Sequence, residues 1–242
     1  MDVCGRRLRC TLRAILSGGK HCDSIDGEID MALFMADSIS VAIDGRRILR
    51  GVYLTVDKGE RVGLVGLNGS GKTTLFRCVS GELRHGTGVV HVRGDYVPPG
   101  RRWRHVAYLR QNEFLPRHRT LRSVASLFAG GDGIRTVSED GRLKPLLGRR
   151  FDTLSGGERR YAEFLLVLSL DREITLLDEP FARVEPLFVE RMQGVLRERR
   201  QKSFLITDHN HVDVREVCHR LVLMDDGTAS GVESSGADLA RA

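Results

Sequence analysis

Gly66-Leu67-Asn68-Gly69-Ser70-Gly71-Lys72-Thr73-Thr74, GLNGSGKTT, is the stretch on which the fold of this chain turns. It satisfies the spacing G-x-x-x-x-G-K-[ST], with the apolar run RVGLVG before it and the helical pattern KTTLFRCVSGE after it. Each residue type has a physical reason. Gly66, Gly69 and Gly71 allow backbone angles that turn consecutive N–H groups around phosphate oxygens, and they carry no side chain to block approach. The positive end of the following helix adds to that field. Lys72 is expected to reach β- and γ-phosphates, and the Thr73 hydroxyl is a hard oxygen ligand for Mg²⁺. Ser70 and Thr74 are expected to add phosphate contacts, with Leu67 and Asn68 completing the loop.

Working outward, the run ITLLDEP reads as a buried strand whose tip delivers Asp178 and Glu179 side by side. Alternation along a strand sends the two carboxylates in different directions. Asp178 is then placed to hold Mg²⁺ and Glu179 to polarise an attacking water. SISVAIDG and RRILRGVYLTVDKGE form two β runs joined by Asp44-Gly45, a hairpin signal. GTGVVHVRGDYVPP is expected to supply further edge strands, HVAYLRQ a strand closing at Gln111, SFLITDH another, and RLVLMDDG a last hairpin. Helices are expected in ERRYAEFLLVLSL and PLFVERMQGVLRERR. Strands alternating with helices predict a largely parallel, helix-covered sheet in an α/β protein.

Composition narrows the function classes. Of 242 residues, 41% are apolar, enough for one substantial core, and the central run Phe164 to Leu168 is far too short to span a bilayer. The net charge of +6 raises a nucleic-acid partner, and 33 of the 38 basic residues are arginine. They are interspersed with acidic residues, and no arginine tract is interleaved with stacking aromatics, so a nucleic-acid face is not expected. The five cysteines are odd in number and show no C-x-x-C pair, which favours free thiols over a disulfide framework or a zinc site. Residues 1–35 lack sustained periodicity and read as a leader, either disordered or a mis-assigned start, ahead of a domain spanning 36–242.

A second glycine-rich turn, LSGGE at Leu154–Glu158, remains to be explained. GLNGSGKTT, Gln111 at a strand end, LSGGE, LLDEP and ITDH, in that order, resemble the motif set of ATP-binding cassette (ABC) ATPases over Ser38 to about Ser230. The resemblance implies a P-loop NTPase of ABC type: a mainly parallel core, an antiparallel β subdomain and a small helical subdomain at about 112–165. It implies ATP with Mg²⁺, and it implies that Ser155, Gly156 and Gly157 close the γ-phosphate site of a second subunit in trans. Gln111 is then the sensor of γ-phosphate and Mg²⁺. His209 contacts γ-phosphate and holds the catalytic geometry with Glu179. Three departures stand out. Ile43 occupies the place of the adenine-stacking aromatic, which implies weaker binding or relaxed base choice; Glu185 replaces the usual acid after LLDEP; and YAEFLLVLSL is more apolar than the family's arginine-bearing helix.

What such an ATPase drives has two readings. LLDEPFARVEP and ITDHNHVDVRE resemble the ATPases of lipopolysaccharide export and branched-chain amino-acid import, which implies a second cassette (a copy or a sibling), an integral membrane permease, and a place at the cytoplasmic face of the membrane. NEFLPRHRTL lies where the permease docks in that family, or else serves the helical subdomain's own core. The alternative is a soluble ATPase that moves a protein or nucleic-acid partner. No heptad tract, second motif set or zinc cysteine set supports that alternative.

Overall fold

The computed structural model describes residues 32–83 and 86–232. The leader lies outside them except for its last positions, of which Phe34 and Met35 belong to the first strand. Strands β1 (Phe34–Ile43) and β2 (Arg46–Val56) turn at Asp44 and Gly45, with φ of 50° and 77°. Two successive left-handed residues give the turn whose twist matches its strands. Strand β4 (Thr87–Val92) pairs with the other side of β1, and β5 (Asp95–Tyr96) pairs with β4. The antiparallel sheet therefore runs β2-β1-β4-β5. Of the expected edge strands, β4 is in fact an inner one, held there by burial of Val90 and Val92.

The second sheet contains β3 (Arg61–Val65), β6 (Val106–Leu109), β7 (Ile174–Asp178), β8 (Ser203–Thr207), β9 (Arg220–Asp225) and β10 (Thr228–Val232). Its order is β10-β9-β3-β8-β7-β6. All neighbours are parallel except β10, which returns antiparallel through Asp226-Gly227. Every residue of β7 and β8 is buried, as expected where both faces of a parallel sheet are covered. The parallel register aligns Leu109 with Leu177 and Asp178 with Thr207. The C-terminal ends of β3, β6, β7 and β8 thus share one edge, where open α/β sheets bind their ligands.

Among the described residues, five α-helices connect these strands: α1 (Lys72–Val79), α2 (Leu121–Glu139), α3 (Gly156–Leu168), α4 (Pro186–Glu198) and α5 (His211–Val217). Helix α2 is broken at Ala129-Gly130, where Gly130 takes φ 58°, inside the glycine-rich stretch AGGDG. One apolar cluster joins Leu121 and Val137 of α2, Phe164 and Leu168 of α3 and Leu177 of β7. The apolar character of α3 follows from this position, since Tyr161, Ala162 and Phe164 through Leu168 are all buried. The helix is not without arginine, however: Arg160 is buried with them. In NEFLPRHRTL, Leu115 is buried and Phe114 packs on the same cluster, while the side chains of Arg117 and His118 stay exposed.

Candidate active site

The loop between β3 and α1 is a cradle with two positions, Gly66 and Gly71, that have no room for a side chain. Gly66 sits at φ 150°, and a Cβ there would meet the Met224 carbonyl oxygen at 2.1 Å. At Gly71, φ is 106° and a Cβ would approach Leu49 Cδ2 to 2.8 Å. Ser70 Oγ is buried with no hydrogen-bond partner among the described residues, leaving a hydroxyl for a ligand oxygen. Lys72 Nζ donates to the carbonyls of Gly66 and Leu67 at 2.6 and 2.9 Å, folded back over its own loop. Burial lowers its pKa, against the raising effect of Glu179 and Asp178. Gly69, Gly71, Lys72, Thr73 and Thr74 line a cleft of about 510 Å³ with Asn68, Gln111, Glu179 and His209.

Asp178, at the tip of β7, is fully buried. It accepts from Thr73 Oγ1 at 3.2 Å and from the Tyr108 hydroxyl at 2.9 Å. Desolvation pushes its carboxyl up to about 6, although both hydroxyl bonds lower it. Tyr108 was not among the expected site residues. Its signal was an amphipathic ring in a short buried strand, whose hydroxyl needs a partner.

The Asp178 shift makes a stability prediction for the nucleotide-free protein. A carboxyl whose folded pKa is raised binds its proton more tightly folded than unfolded, so stability falls as pH rises from the ordinary value of 3.8 through about 6. Asp178→Asn removes the charge, and its two hydroxyl partners can each donate or accept. It is expected to stabilise the ligand-free protein near neutral pH by about 2–3 kcal/mol and to flatten that pH slope. Denaturant unfolding across this pH range checks both; equal stability of the two proteins at neutral pH would refute the prediction.

Glu179 follows the strand with φ 48°, a left-handed conformation strained for a non-glycine residue. Its carboxylate lines the cleft. One oxygen pairs with His209 Nε2 at 2.7 Å, and the other accepts from Gln111 Nε2 at 2.8 Å. The three expected catalytic side chains therefore meet at one point, on loops from three neighbouring strand ends. Gln111 reaches Glu179 by hydrogen bond, whereas Asp178 bonds to Thr73 and Tyr108.

Ser155 caps α3: its hydroxyl accepts from Glu158 N at 3.1 Å, and Glu158 returns the bond to Ser155 N at 2.7 Å. Ser155 and Gly156 are exposed and Gly157 is buried, and none of the three lines the phosphate cleft. The two glycine turns of one chain do not share a site. Ile43 also stands outside the cleft lining and is 40% exposed. Arg46, its register partner on β2, does line the cleft, as does Ile48, and neither was anticipated. Their only sequence signal was position, just past the hairpin.

A parallel sheet that carries a glycine cradle, a buried lysine and a strand-end carboxylate pair to one edge defines a P-loop nucleoside triphosphatase. The family model described as ABC transporter matches residues 49–182, and the chain belongs to that family. It is 32% identical to the lipopolysaccharide export system ATP-binding protein LptB of Escherichia coli (strain K12), over 81% of this chain and 88% of that protein. It is 36% identical to an uncharacterised ABC transporter ATP-binding protein of Rhizobium meliloti (strain 1021), over 73% of this chain and 71% of that one. Two solved structures share its fold. One, described as the ATP binding subunit of an ABC transporter, has TM-score 0.74 at 23% identity and covers 83% of this chain and 90% of its own. The other, a nucleotide-free ATP-binding cassette from an ABC transporter, has TM-score 0.73 at 21% identity, covering 84% and 92%. The chain is accordingly an ATPase of the ATP-binding-subunit type.

Proposed function

We propose that this chain hydrolyses ATP at a seam between two cassettes, copies or siblings, and thereby drives transport through a separately encoded membrane permease. The observation that carries the two-cassette reading is the separation of its glycine turns. The phosphate loop lines a cleft that Ser155 and Gly156 do not reach, while those two residues stand exposed at the start of a well-capped helix. An exposed helix N-terminus suits a phosphate held by a partner. Two such sites then form under two-fold symmetry. Kinship to an export-system ATP-binding protein supports the transport reading. Among the described residues no helix is long and apolar enough to cross a membrane, in keeping with a permease on another chain and a place at the cytoplasmic membrane face.

In this reading the amides of Gly66 to Thr74, with Ser70 Oγ and Lys72, bind and orient the triphosphate. Thr73 Oγ1 and Asp178 Oδ1, 3.2 Å apart, are hard oxygen donors that fit Mg²⁺, with Gln111 at the same cleft. Held by those residues, Mg²⁺ would supply neutralisation of phosphate charge. Glu179 takes the proton of the attacking water, and His209 and Gln111 hold its carboxylate in place. Glu185, exposed just before α4, is in this reading the acid that signals across the seam.

Purification of the tagged chain from detergent-solubilised membranes tests the transport reading. An integral membrane protein is expected to co-purify, and the ATPase rate per molecule to rise with concentration as cassettes pair. In the same assay GTP is expected to replace ATP within about tenfold: stacking tolerates any base, and Ile43 offers no ring to add the roughly 1–3 kcal/mol of such a stack for either nucleotide. A soluble protein stimulated by RNA and indifferent to dilution would instead establish the alternative.

A further inference from the structure

Arg160 and Glu163 form a charged pair inside the core, on the first turns of α3. Arg160 is 7% exposed and Glu163 0%. Arg160 does not merely neutralise its neighbour, which lies at 3.5 Å. Its Nη1 donates to the Arg110 carbonyl at 2.7 Å, and its Nη2 to the carbonyls of Asp178 and Glu179 at 2.8 and 3.0 Å. Glu163 in turn accepts from Phe114 N at 3.1 Å.

We propose that Arg160 is a positioning residue for hydrolysis, one guanidinium that clamps the strained backbone of Glu179 and the loop that carries Gln111. Both carbonyls flanking the Glu179 Cα are held by it, while Glu179 N donates to the Thr207 carbonyl at 2.8 Å. A non-glycine residue at φ 48° persists only where its surroundings over-determine it, and these three bonds do so. The loop from Arg110 to Phe114 is gripped at both ends by the same pair, with Gln111 between. Arginine suits the task because its planar fork reaches three acceptors at once, which a lysine ammonium at the end of its stem does not reproduce.

The placement also joins the two halves of the machine. Arg160 lies five residues after the Ser155 cap, about 7.5 Å along one rigid helix. Displacement of the Ser155 turn by a partner's nucleotide therefore moves the clamp on Glu179 in the same chain. This inference rests on the assignment of Glu179 as the base.

The test compares Arg160→Lys, Arg160→Met and the double variant Arg160→Met/Glu163→Leu with the parent protein. The double variant removes both buried charges and leaves neither unpaired, so it is the one to fold if the single Met variant does not. The expected result is a kcat lowered on the order of a hundredfold in the double variant, as for a misplaced catalytic group, with KM and the nucleotide-induced rise in Tm unchanged. Arg160→Lys is expected to fall between the two. A double variant with kcat within about threefold of the parent overturns the proposal, as does a KM that rises as much as kcat falls. Glu179→Gln measured alongside separates the two failures: full turnover there removes the base assignment, whereas full turnover in the double variant removes only the clamp.

Discussion

Glu179→Gln is expected to bind ATP about as well as the parent, to hydrolyse it at least about a hundredfold more slowly, and to accumulate as a closed pair. The side chain is 9% exposed and both its oxygens are engaged, by His209 Nε2 at 2.7 Å and Gln111 Nε2 at 2.8 Å. Glutamine keeps the shape and one acceptor but cannot take a proton from water. General-base catalysis contributes about 10²–10⁴-fold, which sets the size of the loss. In the proposed reading nucleotide affinity rests on other groups, the loop amides, Ser70 and Lys72, and removal of a negative charge beside the cleft is not expected to weaken it. With γ-phosphate retained, the seam stays closed. A swing from mostly open to mostly closed needs about 5.5 kcal/mol of differential binding, within reach of two sites of charge-assisted bonds. Light scattering with ATP and Mg²⁺ reads the outcome. A variant that stays monomeric would sink the paired-site reading, and one that turns over at the parent rate would remove Glu179 from its role.

Gly66→Ala is expected to destabilise the protein by about 3 kcal/mol or more and to abolish nucleotide binding. The new Cβ would lie 2.1 Å from the Met224 carbonyl oxygen and 3.2 Å from Ser70 Oγ, at φ 150°. Met224 cannot retreat, because β9 is laddered in parallel to β3 through Gly63 with Leu221 and Val65 with Leu223. Either the strand pairing or the loop must yield, and the loop is the weaker. Gly69→Ala is the control: φ is 83° but nothing lies within 4 Å of its Cβ. It carries only the left-handed penalty of about 1–2 kcal/mol. Thermal unfolding and titration with a fluorescent nucleotide distinguish the pair. Equal losses in both variants would show that backbone angle, not the close approach of β9, makes Gly66 obligatory.

Much of this was legible in the sequence because its signals are local. The run from RVGLVG through KTTLFRCV encodes strand, turn and helix in contiguous residues, each with its own stereochemistry, and the structure has β3, the cradle and α1 there. The Asp44-Gly45 and Asp226-Gly227 turns are equally local, and both pairs take positive φ. Order of motifs along the chain carried the family, since LSGGE and ITDH acquire meaning only from their place after GLNGSGKTT.

Contacts across the chain were not legible. Nothing near Tyr108 in sequence says that its hydroxyl meets Asp178, 70 positions away. Arg160 looked like one more residue of an arginine-rich composition, and the helix around it like plain core, until folding placed its fork against the ends of two other strands. The depth of β4 within its sheet escaped notice for the same reason. By itself the sequence determined which chemistry is present and which local shapes hold it, because propensity and turn geometry are properties of neighbouring residues. Only the tertiary structure decided which side chains share a site, that Glu179 is strained and clamped, and that the two glycine turns stand apart, because burial and hydrogen bonding between distant segments depend on how the sheet is ordered.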